Sequence, residues 1–188
     1  MKRFPRLAVE DEGRLKDLKL REHFLIRIFA FARLRETVSQ GTMSALISFH
    51  SENKLLLMAY NRTVLRELDR LAANPGNKPV VEVISAYEQA FGKVFIKISS
   101  RASNINVLMH TLGYFHGKLS GEEKSFVLDA IVRYREGKLP LSAVVNVMQS
   151  WITHYQERYL MNQTYFSPYP EKLAEVADSG KGMSCSKT

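Results

Sequence analysis

The stretch Asn106-Val107-Leu108-Met109-His110-Thr111-Leu112-Gly113-Tyr114-Phe115-His116 decides the fold class. Residues three and four apart share a helix face. Leu108, Leu112 and Phe115 therefore fall on one apolar stripe, widened by Ile105, Val107 and Met109. Asn106, His110, Gly113 and Gly117 fall on a narrow stripe of polar and small residues. The pattern reads as one helix with two unlike faces. A glycine inside a helix costs about 1 kcal/mol relative to alanine, so Gly113 is expected to mark the close approach of a second backbone or a ligand. His110 then reads either as the hydrogen-bonded histidine of a buried helix or as a functional group.

The same periodicity extends in both directions. Upstream, Leu20, Phe24, Ile28, Phe31 and Leu34 line one face of a helix to about Val38, with Leu25, Phe29 and Ala32 broadening it. Gln40-Gly41-Thr42 ends that helix, and Thr42 can cap the next, over Met43–Tyr60. There the run Leu55-Leu56-Leu57-Met58-Ala59 covers every side of the last turns, which implies a central helix buried all round. His50 and Lys54 are four apart on one face of it, with Asn53 beside them. Asn61 caps a helix to about Ala73, Asn74-Pro75-Gly76-Asn77 is a loop, and a longer helix begins near Pro79. Its apolar spacing, Ile84, Tyr87, Phe91, Val94, Phe95 and Ile98, predicts helix through Ile98, although Val94, Ile96 and Ile98 also alternate as in a strand. Residues 99–104 read as a polar connector.

Downstream, Ser120-Gly121-Glu122-Glu123 is a capping box that opens a helix ending at Gly137. Pro140 opens another, Leu141 to about Tyr155. The segment Tyr165-Phe166-Ser167-Pro168-Tyr169-Pro170 suits wrapping over a core better than continuing a helix. The predicted architecture is all-α, a single orthogonal bundle of about six or seven helices. It spans residues 19–175, after a leader or linker at 1–18 and before a disordered tail at 176–188.

Composition bounds the partners. The 188 residues carry 27 Lys and Arg against 19 Asp and Glu, a formal charge of +8, so a polyanion is a plausible partner. The single cysteine, Cys185, cannot form an intramolecular disulfide, a cysteine-rich zinc site or a cysteine-ligated iron–sulfur cluster within this chain. No histidine pair has the H-E-x-x-H arrangement, there is no Gly-x-Ser-x-Gly elbow and no Walker-type glycine run. No metal or cofactor is therefore expected. The start lacks an apolar signal segment and no stretch reaches bilayer length. A cytoplasmic protein is expected.

Several segments, taken in order, resemble the YbgA-like family of small bacterial domains. They are Phe49-His50 with Lys54-Leu55-Leu56-Leu57-Met58-Ala59, then Asn106-Val107-Leu108-Met109-His110 with Gly113-Tyr114-Phe115. Tyr134-Arg135, Gly137, Pro140-Leu141, Tyr159-Leu160 and Tyr165-Phe166 with Pro168-Tyr169-Pro170-Glu171 and Leu173 follow, so the resemblance runs from about Leu20 to Leu173. The family occurs alone and also fused behind a cysteine-ligated iron–sulfur desulfidase domain implicated in removing sulfur from thiouridine in transfer RNA. The resemblance implies that this domain holds the RNA. It also likens Ala8-Val9-Glu10-Asp11-Glu12-Gly13-Arg14-Leu15 to the seam that closes the desulfidase half. Asn53, Tyr60 and Asn104 stand where the family tends to have histidine, which counts against a metal role here.

The expected function is thus a tRNA-binding accessory domain, non-catalytic by itself, whose partners are tRNA or another structured RNA and a desulfidase domain or protein. Candidate RNA-binding or pocket residues are His50, Asn53, Lys54, Arg101, Asn106, His110, Tyr114, Lys118, Arg135, Tyr165 and Tyr169. The basic groups among them would meet phosphates, and exposed tyrosines, Tyr134 included, would stack on unpaired bases. Arg21, Arg27, Arg33, Arg35, Arg62, Arg66, Arg70 and Arg133 accompany polar faces as well. Two other readings stand beside this one: a small helical enzyme using His50, Lys54 and His110, and a protein-interaction module. The helices carrying His50 and His110 are expected to pack together so that their polar stripes adjoin.

Overall fold

A computed structural model describes residues 10–173. The tail expected at 176–188 and residues 1–9 of the expected leader lie outside the described residues. Among the described residues every regular element is helical. The α-helices are α1 (Leu18–Gln40), α2 (Met43–Tyr60), α3 (Arg62–Ala73), α4 (Val80–Phe91), α5 (Arg101–Gly113), α6 (Gly121–Arg135), α7 (Leu141–His154) and the one-turn α8 (Arg158–Met161). Short 3-10 turns lie at Arg14–Lys16, Val94–Ile96 and Glu171–Leu173.

Side-chain caps set most of the helix starts. Asp17 accepts from the Lys19 and Leu20 amides, Thr42 from Ala45, Asn61 from Val64 and Ser100 from Ser103. At α6 the Ser120–Glu123 capping box forms in both directions. Each cap satisfies an amide that the helix itself leaves without a partner. Gly41 and Asn74 take left-handed backbone conformations that stop α1 and α3.

Helix α2 is the centre. It packs on α1, α3 and α5, and Leu55, Leu56 and Leu57 are all buried. An aromatic run through Phe31, Phe91, Phe49 and Tyr87 fills the space between α1, α2 and α4. Trp151 and Tyr155 close on Phe115 at the other end.

Four local expectations are corrected. The buried face of α1 is Ile26, Ala30, Phe31, Leu34 and Thr37, while Leu20, Phe24 and Ile28 are only half-buried. This helix is apolar on several sides, so periodicity alone could not choose the inner one. The helix after Pro79 stops at Phe91, and a separate tight turn in which Phe95 is non-helical (φ −96°, ψ 26°) buries both Val94 and Phe95. Ile96 and Ile98 are left exposed. Helix α5 starts at Arg101 rather than Asn106, since Ser100 is its cap, and it ends at Gly113. A Cβ on Gly113 would meet nothing within 4 Å, so no close approach explains that glycine.

The segment after α8 wraps the bundle as expected. The Thr164 amide donates to Glu52 O (2.9 Å), the Tyr165 hydroxyl to Asn104 Oδ1 (3.1 Å) and Gln149 Nε2 to Phe166 O (2.6 Å). Tyr169 then leans on Phe29, and Arg21 reaches Leu173 O. One strap thus ties α2, α5, α7 and α1 together.

Candidate functional site

Helix α3 sets the site. Its apolar face is Val64, Leu65, Leu68 and Ala72, packed between α2 and α4. At 3.6 residues per turn, Arg62, Arg66 and Arg70 follow one another along the opposite side, spaced about 6 Å apart along the axis. All three are exposed, and none has a hydrogen bond or ion pair among the described residues. The reason lies at the two margins of the helix. Glu67, on the α4 side, is taken by Lys93 (3.3 Å), and Asp69, on the α2 side, is taken by His50 and Lys54. Cations of α2 and of the turn after α4 thus occupy the carboxylates and leave the arginines unneutralised.

Asp69 ends a polar chain that starts in the core. His50 Nε2 lies 2.9 Å from Asp69 Oδ1, and His50 Nδ1 lies 2.9 Å from the hydroxyl of Tyr87, which is fully buried. Burial pushes the His50 imidazole below the ordinary histidine range, and Lys54 adds to the fall against the opposing hydrogen bond and charge of Asp69. The ring is therefore neutral at pH 7. A carboxylate can only accept, so Nε2 carries the proton and Nδ1 accepts from Tyr87 O–H. Tyr87 itself is held protonated, first by burial and then by the Asp69 charge. Lys54 Nζ approaches the same Asp69 Oδ1 at 3.3 Å. With both ring nitrogens engaged, His50 is no open general base; the accessible end of the chain is the Asp69 carboxylate, 39% exposed.

An aromatic surface lies within electrostatic reach of Asp69. Tyr114 and Tyr159 stack with centroids 5.2 Å apart and planes 15° from parallel, and the exposed His110 meets Tyr114 edge-on at 5.5 Å. The Tyr159 phenol is pushed up to about 12, first by burial, then by Tyr114 and by the nearby Asp69 carboxylate. His110 belongs to this aromatic surface and His50 to the Asp69 chain, and no hydrogen bond or ring contact between the two histidines is present among the described residues.

Tyr159 is held in place through the strap. Gln163, buried four residues on, accepts from the Leu55 amide (3.1 Å) and donates to Ser51 O (2.8 Å). Its side-chain amide spans one rung of the α2 ladder, an arrangement that bends helices. Asn53, fully buried, donates to Phe49 O and accepts from Thr164, so it serves the strap and faces no ligand.

The remaining candidates fall elsewhere. Arg101 donates to Arg135 O at 3.3 Å and lies 5.7 Å over the Tyr134 ring, which ties α5 to the end of α6. Arg135 is exposed. Contrary to the expectation of exposed aromatics, Tyr134 and Tyr165 are buried, with Tyr165 bonded to Asn104. Tyr169 is half-buried on Phe29. Lys118 pairs with Glu157 at 2.9 Å, and Asn106 is exposed.

Asp69, Tyr87 and Gln163 were not legible as site members, nor was His23 in a separate groove. Asp69 carried a usable signal, one of two acids flanking a row of three arginines on the polar side of its helix. His23 gave none. It stacks on Tyr60, with Nδ1 3.2 Å from the Tyr60 hydroxyl, at the edge of a groove of about 730 Å³ between α1 and the Val94–Ile96 turn. Among the described residues no group of three or more His, Cys, Asp and Glu could hold a metal, and no helix is long and apolar enough to cross a membrane.

Residues 54–170 match the family described as protein of unknown function, DUF1722. The chain is also 31% identical over 153 residues to the uncharacterized protein YbgA of Escherichia coli K12, covering 79% of this chain and 89% of that protein. No solved structure matches. The chain belongs to the DUF1722 family, the YbgA-like domains.

Proposed function

We propose that this member of the DUF1722 family is an RNA-binding accessory domain that holds transfer RNA for a thiouridine desulfidase and does no chemistry on its own. The observation that carries the reading is the unneutralised row Arg62, Arg66 and Arg70 on the exposed side of α3. Its spacing of about 6 Å per step is comparable to that of consecutive phosphates along one strand. Guanidinium groups suit phosphate because their planar fork donates two parallel hydrogen bonds. The net charge of +8 draws a polyanion toward any face of the molecule, but cations already paired with the chain's own carboxylates are less available to neutralise phosphates.

The test is tRNA binding across a salt series. Three phosphate contacts correspond to a slope of log affinity against log salt of roughly 2 to 3 in magnitude. Arg66→Ala is expected to lower that slope by about 0.7 to 0.9. Binding absent at low salt, or a slope that the Arg66 variant leaves unchanged, overturns the reading. So does sulfur release from thiouridine by the purified chain alone.

A further inference from the structure

We propose that the Asp69 carboxylate, fixed by His50 and Lys54 near the Tyr114–Tyr159 stack, reads the pairing edge of an unstacked guanine. The inference rests on the RNA-binding reading above and assigns its sequence preference. Phosphate contacts fix register and carry no sequence information, whereas contacts to base edges do.

Four features of the site point to a base. The hydrogen bond between His50 and the Asp69 carboxylate (2.9 Å) and the closest approach of the Lys54 ammonium (3.3 Å) both fall on Oδ1. Oδ2 accepts no hydrogen bond among the described residues, on a carboxylate 39% exposed. A partly exposed carboxylate held through one oxygen is an oriented acceptor, with a cation 43% exposed at its side. The half-buried Tyr114 and Tyr159 rings supply the flat apolar surface on which single-stranded bases stack. Third, Asp69 sits three residues from Arg66 and one from Arg70 on α3, so phosphate and base contacts come from one rigid element. Finally, the strap pins Tyr159 to the same part of α2 that carries His50 and Lys54, through Gln163.

Guanine fits this arrangement best. On its pairing edge it places two N–H donors, N1–H and the N2 amine, side by side, with the O6 acceptor next to them. Two adjacent donors give a negative acceptor its largest attraction, and O6 takes the Lys54 ammonium, as basic side chains do at this atom. Adenine and cytosine present one donor beside an acceptor, and uracil flanks its single N–H with two carbonyls.

The experiment uses the full chain and short single-stranded RNAs, uridine runs that carry one central G, A, C, U or inosine, followed by fluorescence anisotropy at fixed salt. The G oligomer is expected to bind about tenfold tighter than the A and U oligomers, with inosine, which lacks the N2 amine, in between. Asp69→Asn should erase the G preference while leaving the affinity for the A and U oligomers equal or higher, because a negative charge near the phosphates is gone. Tyr159→Leu should weaken all five oligomers. The inosine comparison needs no variant and stands even where Asp69→Asn fails to fold. Salt-dependent binding without a G preference overturns this inference and leaves the RNA-binding reading standing. Equal affinity for G and inosine overturns it too, and binding to none of the oligomers or to tRNA removes both.

Discussion

The arginines of α3 and the arginine at the head of α5 are deployed in opposite ways. Arg62, Arg66 and Arg70 point away from the bundle and meet no partner among the described residues. Arg101 is just as exposed, yet its guanidinium is committed to a helix-end carbonyl and the Tyr134 ring. Lys118, bound to Glu157, belongs with Arg101. Net charge counts all these groups alike. What separates them is whether an acceptor of the chain lies within reach, and that is fixed by which helices neighbour one another. On α3 the neighbours bring cations, Lys54 and Lys93, that take up the carboxylates. At the α5–α6 junction the neighbour brings unpaired carbonyls at a helix C-terminus, which attract a cation.

The sharpest way to break this contrast is charge reversal. Replacing Arg62, Arg66 and Arg70 together by glutamate should lower tRNA affinity by roughly 100-fold or more at low salt and remove most of the salt dependence. The melting temperature should barely move, since exposed substitutions without partners change stability little. A large loss of stability in that variant would mean that these side chains carry internal contacts after all.

Next in size is the buried end of the Asp69 chain. His50→Ala leaves the Tyr87 hydroxyl without its acceptor inside the core and opens a cavity, at a cost of about 3 kcal/mol in chemical denaturation. The same histidine predicts a pH dependence. Its folded-state value is depressed, as is that of His23, where burial is again the main cause, followed by Arg27. Below about 6.5 the unfolded chain takes up protons that the folded chain refuses. The stability these histidines contribute is therefore fully present above that pH and is lost as the pH falls through the depressed folded values. Urea midpoints measured from pH 8 to pH 5 should fall, and His50→Gln should flatten part of the fall.

Arg101→Ala completes the comparison from the other side. It should cost about 1 kcal/mol of stability through the lost carbonyl bond and ring contact, with the salt slope of tRNA binding unchanged. A drop in slope near one unit would place Arg101 with the α3 row instead. The smallest effect concerns Gly113, whose Cβ would meet open space. Gly113→Ala should raise stability by about 0.5 kcal/mol, and a destabilisation would restore the close approach that its sequence context suggested.

Much of the helical framework was legible because it rests on local chemistry. Thr42, Asn61 and the Ser120–Glu123 box cap the helices they precede in sequence, and a run such as Leu55-Leu56-Leu57 has no solvent-facing side wherever it is placed. Family membership was legible for a related reason, since the motifs from Phe49 to Leu173 keep their order along the chain. The inner face of α1 was not legible, because a helix apolar on several sides has no unique periodicity.

The candidate site divides along the same line. The pairing of His50 and Lys54 on one helix face follows from their spacing of four, and so does the row of arginines on α3. Which of these groups is free follows only from the tertiary structure. Asp69 comes to His50 across 19 residues of sequence and Tyr87 across 37, while Gln163 reaches Ser51 across 112. Helix propensity and capping act over three or four residues and can be read along the chain. Hydrogen bonds between helices depend on distances that arise only when the apolar faces have packed, so the committed and the free charges of this protein became distinguishable only in the folded bundle.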